Sequence, residues 1–308
     1  MDKLKAMATF VQIAEHGSLT AAARATDSSL PAVVRTLAAL EAHLRVRLFN
    51  RTTRRIALTD EGRRYLDSCR RVLSAVSDAE TELNEGAAEP AGPLLVTAPV
   101  QFGQMYVAPA VTRFALRHSQ VDCRVMLTDS VVSMVDQGID VGLRIGALED
   151  STLVAQTLGS IRRVVVASPD FLAAHGTPAH PQELAGARCV RFTGGSAPWW
   201  TFHDGERRLQ VTAGGNLEFN HIAPATDACV AGAGFGMFMS YQVASLVADG
   251  RLVIVLEAFE PPPRPVSIVY PHARGLPMRT RLFIDWLRQD LAARAGPGGP
   301  GGPFDTPA

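Results

Sequence analysis

The sequence predicts two units of different class: a small, mainly α head with a basic β-ribbon, then a larger α/β domain. Three observations carry this. Apolar residues recur at three-and-four spacing through the first 44 positions, in runs broken at Gly17 and at Thr26, Asp27 and Ser28. A basic alternating stretch, RVRLFNRTTRRIAL (45–58), follows them. Beyond residue 93, short apolar runs of strand length alternate with helical patterns.

In the first helix Leu4, Met7, Val11 and Ala14 form the apolar face, widened by Phe10 and Ile13, and Gly17 stops it. Ser18 stands at an N-cap position before TAAARA (20–25), a second short helix. Ser29 caps a third, with Pro31 in its first turn, where a missing N–H costs little. Val33, Leu37, Leu40 and Leu44 make its buried stripe, which turns Ala32, Arg35, Thr36 and Ala39 outward. Two short helices across a tight turn, the second offering small and basic side chains, suit entry into the major groove of DNA. In the stretch after them Leu48, Ile56 and Leu58 alternate with Arg47, Arg51, Arg54 and Arg55. A ribbon of this kind is a wing, whose arginines and Thr52 and Thr53 hydroxyls suit phosphates or a narrow minor groove. The head therefore reads as a winged helix-turn-helix.

Thr59 caps a long helix with Asp60 and Glu61 in its first turn, favourable at the positive end of the helix dipole. Gly62, Leu66, Cys69, Leu73, Val76 and Leu83 keep a narrow seam, interrupted where Glu80 takes a seam position. A seam this narrow suits a second copy of the helix, and a two-fold pair would set two recognition helices about 34 Å apart, one turn of DNA. The alternative is a helix lying only on its own sensing domain.

Charge supports a polyanion partner for the head alone. The formal net charge of the 308 residues is zero, yet residues 1–71 hold thirteen Lys/Arg and seven Asp/Glu, a net of +6 that leaves −6 on the remainder. The four cysteines are scattered without a CxxC pair, which argues against a zinc knuckle or a disulfide framework and fits a reducing cytoplasm. The longest apolar run, 229–239, is too short to cross a bilayer, and the first residues lack the continuous apolar core of an export signal. No membrane association is expected.

The runs AEHGSLTAAAR (14–24) and AALEAHLRVRLFNRTTRRIALTDEGRRYL (38–66) resemble the DNA-binding end of the LysR-type transcriptional regulators. The resemblance implies that Pro31, Ala32, Arg35 and Thr36 of the third helix, and Arg51, Thr52, Thr53 and Arg54 of the wing, touch double-stranded DNA. It also implies dimers that pair into tetramers, and RNA polymerase as a further partner. Three positions depart from the family pattern: Arg45 stands where glycine is usual, Ser28 where the turn is usually apolar, and Val34 where a serine usually precedes Arg35. An arginine in a left-handed turn costs roughly 1 kcal/mol relative to glycine.

Residues 86–93 (GAAEPAGP) read as a linker. Strands are expected at 94–98, 123–129 and 139–145, with helices at 104–117 and 130–137, as in a parallel α/β sheet. A second set opens at 162–168 and runs through a hairpin turning at Asp204 and Gly205 to 252–259. VSIVY (266–270) and a helix over 276–294 close the pattern, and the Gly/Pro-rich tail after Gly296 is expected to be disordered.

This order resembles the sensing domain of the same family, an α/β effector domain of two lobes built like a type 2 periplasmic binding protein. The implied organisation is 1–59 for the DNA-binding domain, 60–90 for the dimerisation helix and linker, and 91–295 for the effector domain. Its lobe I would be 91–160 with 266–295, its lobe II 161–265, with crossings near 159–163 and 260–266. Strand ends and helix N-termini of both lobes would face a small organic effector. By position these are Ala98, Pro99, Val100 and Gln101; Thr128 and Asp129; Phe192 and Thr193; and Phe219, Asn220 and Thr226. No cofactor is implied.

Signatures of catalysis are missing. The sequence holds neither GxSxG nor HExxH, and GAGFG (232–236) reads as a helix stop before a strand. His175 and His180 bracket a loop with no third metal ligand nearby. Arg144, within GLRIG, could meet a carboxylate in the cleft or sit in a structural ion pair.

Overall fold

The computed structural model describes residues 1–51, 56–82, 89–148, 153–192, 199–271, 275–294 and 302–307. They form two compact units, Met1–Glu89 and Pro90–Ala308.

In the first unit, α1 (Lys3–His16) starts at Asp2, whose carboxylate accepts from Lys5 N, and ends at Gly17 with φ 61°. Ser18 caps α2 (Leu19–Ala25) and Ser29 caps α3 (Leu30–Leu44), each through a bond from a backbone N–H three residues on. α3 leaves its axis at Arg45, held left-handed at φ 59° and ψ 27°. β1 (Phe49–Arg51) and β2 (Ile56–Leu58) pair antiparallel with Phe49 opposite Leu58. Thr59 then opens α4 (Asp60–Glu82): its hydroxyl accepts from Gly62 N at 2.9 Å and donates to the Arg47 carbonyl at 2.8 Å. Phe10, Ile13, Leu37, Leu40 and Leu48 are fully buried in the shared core.

The seam of α4 is largely spent inside this unit. Leu66 and Cys69 are buried in the same core, Tyr65 and Leu73 lie against it, and the Tyr65 ring is 5.5 Å from that of Phe10. Gly62 meets the ribbon so closely that a Cβ there would sit 2.1 Å from the Leu48 carbonyl oxygen. Arg70 pairs with Glu15 of α1 at 3.0 Å. Three-and-four spacing reports an apolar stripe, not the surface that covers it, and here α1 covers its first half. Val76 is half-buried, Val72 on another face of the helix is exposed, and Leu83 lies outside the described residues.

Among the described residues the second unit holds two large sheets and a separate two-stranded hairpin. The chain enters through β3 (Gly92–Ala98), α5 (Val100–Phe102), a π-type turn over Gly103–Val107 and α6 (Ala108–Arg117). It continues through β4 (Val121–Leu127), α7 (Met134–Gln137), β5 (Val141–Ile145) and β6 (Leu153–Ile161). It then passes into β7 (Arg163–Ala167), α8 (Pro169–His175), β8 (Cys189–Phe192), the hairpin β9 (Trp199–Asp204) and β10 (Arg207–Thr212), and β11 (Leu217–Phe219). After α9 (Ile222–Val230), β12 (Phe235–Met239), α10 (Ser240–Ala248) and β13 (Val253–Val255), it returns through β14 (Arg264–Pro271) to α11 (Met278–Arg294) and β15 (Thr306–Pro307).

Six strands in the order β15-β6-β14-β5-β3-β4 make lobe I, and five in the order β11-β8-β12-β7-β13 make lobe II. β3 is parallel to β4 and β5, whereas β14 runs antiparallel to β5 and β6. The chain therefore changes sheet twice, at Arg162 and between β13 and β14. The two crossings are tied by a bidentate pair, Arg162 Nε and Nη2 each 2.7 Å from a Glu260 carboxylate oxygen. Among the described residues no helix is long and apolar enough to cross a membrane.

Two expectations need correction here. The hairpin turns one residue later than expected: Asp204 pairs with Arg207, so Gly205, at φ 57°, and Glu206 form the turn. The tail is ordered over 302–307. Thr306 and Pro307 pair with Ser160 and Gly159, Phe304 lies against the lobe I core, and the Asp305 carboxylate accepts from Arg162 N at 2.7 Å and from the Ser240 hydroxyl. Glycine raises the backbone entropy of a tail and proline withholds N–H donors from it, but neither reveals a strand edge such as that of β6 that can hold it.

Arg45 is exposed and holds the conformation that glycine adopts without steric cost. Arg45→Gly is expected to stabilise the protein by about 1 kcal/mol, read as a higher urea midpoint at unchanged slope.

Candidate functional site

Two surfaces carry the chemistry expected from the sequence, one in each unit. On the head, Pro31 and Arg35 of α3 are exposed and Ala32 and Thr36 are half-buried, while Val33, Leu37 and Leu40 on the opposite stripe are buried. Arg35 is thus presented on a helix whose position is fixed from behind. Arg51 ends β1, and Thr52, Thr53 and Arg54 lie outside the described residues.

What fixes α3 to the ribbon is Glu41, which sequence reasoning missed. Its side chain is only 5% exposed, and its Oε1 accepts from Leu48 N at 2.8 Å and Phe49 N at 3.4 Å. Arg47 reaches the other oxygen at 3.3 Å. A buried carboxylate satisfied by backbone N–H groups is a strong, geometrically specific tie. The only sequence signal is a lone acid on the buried side of α3, one position after Leu40.

In the second unit a cavity of about 780 Å³ opens between the lobes. Pro99, Val100, Gln101, Thr128, Asp129 and Phe192 line it, all of them expected. The remaining expected residues do not: Ala98 is fully buried in the lobe I core, and the Thr226 hydroxyl is turned back to the Ala223 carbonyl at 2.8 Å. Phe219 lies against a lobe II core, and Asn220 is exposed beside the cavity, not in its wall. Thr193 falls outside the described residues. His221, Ile222 and Ala223, at the opening of α9, line the cavity in place of Asn220 and Thr226.

The opening of α5 is already occupied by the protein itself. Asp129 Oδ1 accepts from Val100 N at 3.0 Å, so the N–H expected to meet an anion is satisfied from within lobe I. Gln101 differs: its Oε1 is buried without a hydrogen-bond partner. Further walls come from Met239, Tyr241 and Gln242 after β12, and from Arg144 and Arg264 on β5 and β14. Burial pulls the Arg144 guanidinium below its usual range. Arg163, at the start of β7, is pulled down to about 10 by burial first and then by the neighbouring charge of Arg264. Burial pushes the Cys189 and Cys229 thiols up to about 12 and Cys69 up to about 11, so none of these is an activated thiolate.

With this geometry in place, likeness to known proteins is specific. Residues 4–63 match the lysR family of bacterial regulatory helix-turn-helix proteins, and 87–292 match the LysR substrate binding domain. An HTH-type transcriptional repressor of Pseudomonas aeruginosa is 35% identical over 295 residues, 95% of this chain and 93% of that protein. The structure of CrgA, a LysR-type transcriptional regulator from Neisseria meningitidis, shares 30% identity over 93% of this chain and 98% of that chain, with a TM-score of 0.59. The full-length structure of the Vibrio cholerae virulence activator AphB shares 25% identity over 92% and 98% of the two chains, also with a TM-score of 0.59.

Glu41→Ala leaves the Leu48 and Phe49 N–H groups without their carboxylate and is expected to destabilise the head by about 2 kcal/mol. Chemical denaturation that shows no loss would mean that Glu41 does not secure the ribbon.

Proposed function

The chain belongs to the LysR family of transcriptional regulators, which join a DNA-binding helix-turn-helix domain to a domain that binds a small-molecule effector, and from that premise we propose how this member works. The observation that carries the reading is one chain presenting Arg35 on a rigidly backed α3 and a cavity of about 780 Å³ between two lobes. Pro31, Ala32, Arg35 and Thr36 enter the major groove, with Arg35 reaching guanine or phosphate and the small neighbours permitting close approach. Arg51, Thr52, Thr53 and Arg54 of the wing neutralise phosphates.

The effector occupies the cavity against Pro99, Val100, Gln101, Thr128, Asp129 and Phe192, where the unpartnered Gln101 Oε1 accepts a donor from it. Binding shifts the population between lobe arrangements, and an effector acts only through its difference in affinity for them, about 1.4 kcal/mol for each tenfold change in the ratio. The protein works in the cytoplasm as a regulator and not as an enzyme, without a cofactor. It forms dimers that pair into tetramers, with RNA polymerase as a further partner. The buried Leu66 and Cys69 are excluded from the dimer contact, which falls to the part of α4 around Val72 and Val76.

Two substitutions separate the DNA roles. Arg51→Ala is expected to weaken binding to all duplexes alike and to reduce the salt dependence by about one phosphate contact. Arg35→Ala is expected to change sequence preference as well, by about 1–3 kcal/mol at one base pair if it reads guanine. Electrophoretic mobility-shift titrations at several salt concentrations measure both. Unchanged affinity in both variants would place the DNA surface elsewhere.

A further inference from the structure

The C-terminal segment lies beyond the stretch that matches the LysR substrate binding domain, residues 87–292, yet it is seated on the second unit in three ways. Its backbone extends the lobe I sheet: Thr306 and Pro307 pair with Ser160 and Gly159 of β6, and Asp305 N donates to the Ser160 carbonyl at 2.9 Å. Its ring, Phe304, lies on the lobe I core 6.4 Å from that of Phe102, and Pro303 before it is buried. Its carboxylate, on Asp305, reaches past lobe I. It accepts from Arg162 N at 2.7 Å on the first crossing and from the Ser240 hydroxyl at the start of α10 in lobe II. Ser240 N donates in turn to the Arg162 carbonyl at 3.0 Å, so the acid closes a ring of bonds that joins the crossing to lobe II.

The seat under the segment is assembled from both lobes. The π-type turn over Gly103–Val107 is wider than an α-helical one, and its Tyr106 hydroxyl donates to the Gly302 carbonyl at 3.2 Å. Tyr241, the second residue of α10, packs its ring 5.3 Å from Phe102 and 6.0 Å from Tyr106. Phe304 therefore completes an aromatic cluster to which lobe I gives Phe102 and Tyr106 and lobe II gives Tyr241. Against this, the segment makes two strand pairs, rests one half-buried ring and leaves Asp305 largely exposed. A terminal segment with so few contacts opens well before the lobes themselves unfold.

We infer that the edge of β6, with the aromatic cluster and the Arg162 N–H and Ser240 hydroxyl beside it, is a docking site for an extended segment carrying an aromatic residue followed by an acid. The chain's own residues 302–307 fill it and act there as a detachable strap between the lobes. Backbone pairing on β6 holds any strand, while the aromatic cluster and the two donors select the Phe304–Asp305 pair. The strap grips lobe I through its backbone and Phe304, and it grips the crossing and lobe II through the Asp305 carboxylate. Its release removes a tie between the lobes and shifts their population toward looser arrangements. This inference is independent of what the cavity binds.

The test is hydrogen–deuterium exchange of the 308-residue chain and its variants, with a synthetic peptide of residues 301–308, GGPFDTPA, as the probe. Removal of residues 302–308 is expected to speed exchange about tenfold or more around Ser160 in β6 and, across the crossing, at 238–242 in lobe II. Adding the peptide is expected to restore slow exchange at both places. Peptides carrying Phe304→Ala or Asp305→Ala are expected to bind about tenfold more weakly or worse. Asp305→Ala in the whole chain keeps the rest of the strap, and it is expected to speed exchange at 238–242 more than around Ser160. Unchanged exchange at 238–242 in both the shortened chain and Asp305→Ala overturns the proposal, because the segment would then only cover a sheet edge. Acceleration spread evenly over both lobes in Asp305→Ala also overturns it, as a general loss of stability. So does a scrambled peptide that restores protection as well as GGPFDTPA, or a failure of GGPFDTPA to restore it. If the shortened chain does not fold, the Asp305→Ala comparison decides alone.

Discussion

The second unit depends on how its two sheets are held where the chain passes between them. Each lobe has its own apolar clusters, one around Phe102, Phe114 and Phe283 and others around Phe202 and Phe238, and Tyr241 of α10 reaches into the first with its ring 5.3 Å from that of Phe102. The Arg162–Glu260 pair ties the two lobes at the crossings: it links residues from both, is bidentate and is largely withdrawn from water on the Glu260 side. Asp305 adds to it from the C-terminal tail by accepting from Arg162 N and from Ser240 at the start of α10. The cavity lies between lobes held in this way, and its cationic wall belongs to strands that begin or end beside the crossings.

Much of the head was legible because its signals are local. Ser18 and Ser29 each cap the helix that follows them through a bond three residues away, and Gly17 takes the left-handed conformation that ends α1. Such features need nothing beyond the neighbouring residues. Glu41 was illegible for the converse reason: its worth lies in backbone N–H groups seven and eight residues on, which only the closed turn of Arg45 brings within reach. The seam of α4 was visible as a stripe but assigned to a partner, since periodicity does not name the surface that buries it.

In the second unit the alternation of strands and helices gave the class of fold, while β6 passed unread. Its sequence, LVAQTLGSI, mixes Gln156, Thr157, Gly159 and Ser160 into a strand that β14 covers on one edge and β15 on the other. Six of the effector residues expected from the sequence line the cavity, in the segments that leave β3 and β4 and at the end of β8. The rest comes from the openings of α9 and α10 and from strand residues such as Met239 and Arg264; Arg144 was weighed as a cleft residue, but its sharing of the wall with Arg264 follows from the antiparallel pairing of β14 with β5 across more than a hundred residues of chain. No local pattern encodes that pairing.

The two surfaces use different physics. The head offers fixed positive charge to a polyanion, where backing by Glu41 matters more than adaptability. The sensing unit offers a cavity between two lobes tied at their crossings, where, in the function proposed above, a binding difference between arrangements moves a population. The central claim is that the Arg162–Glu260 pair sets the lobe arrangement. Its most direct test is the distance distribution between spin labels at Leu116→Cys on lobe I and Asp249→Cys on lobe II, in a Cys123→Ser background, with and without Glu260→Gln. A narrow distribution that broadens or shifts on Glu260→Gln is the predicted result; superimposable distributions from two equally folded proteins would contradict it.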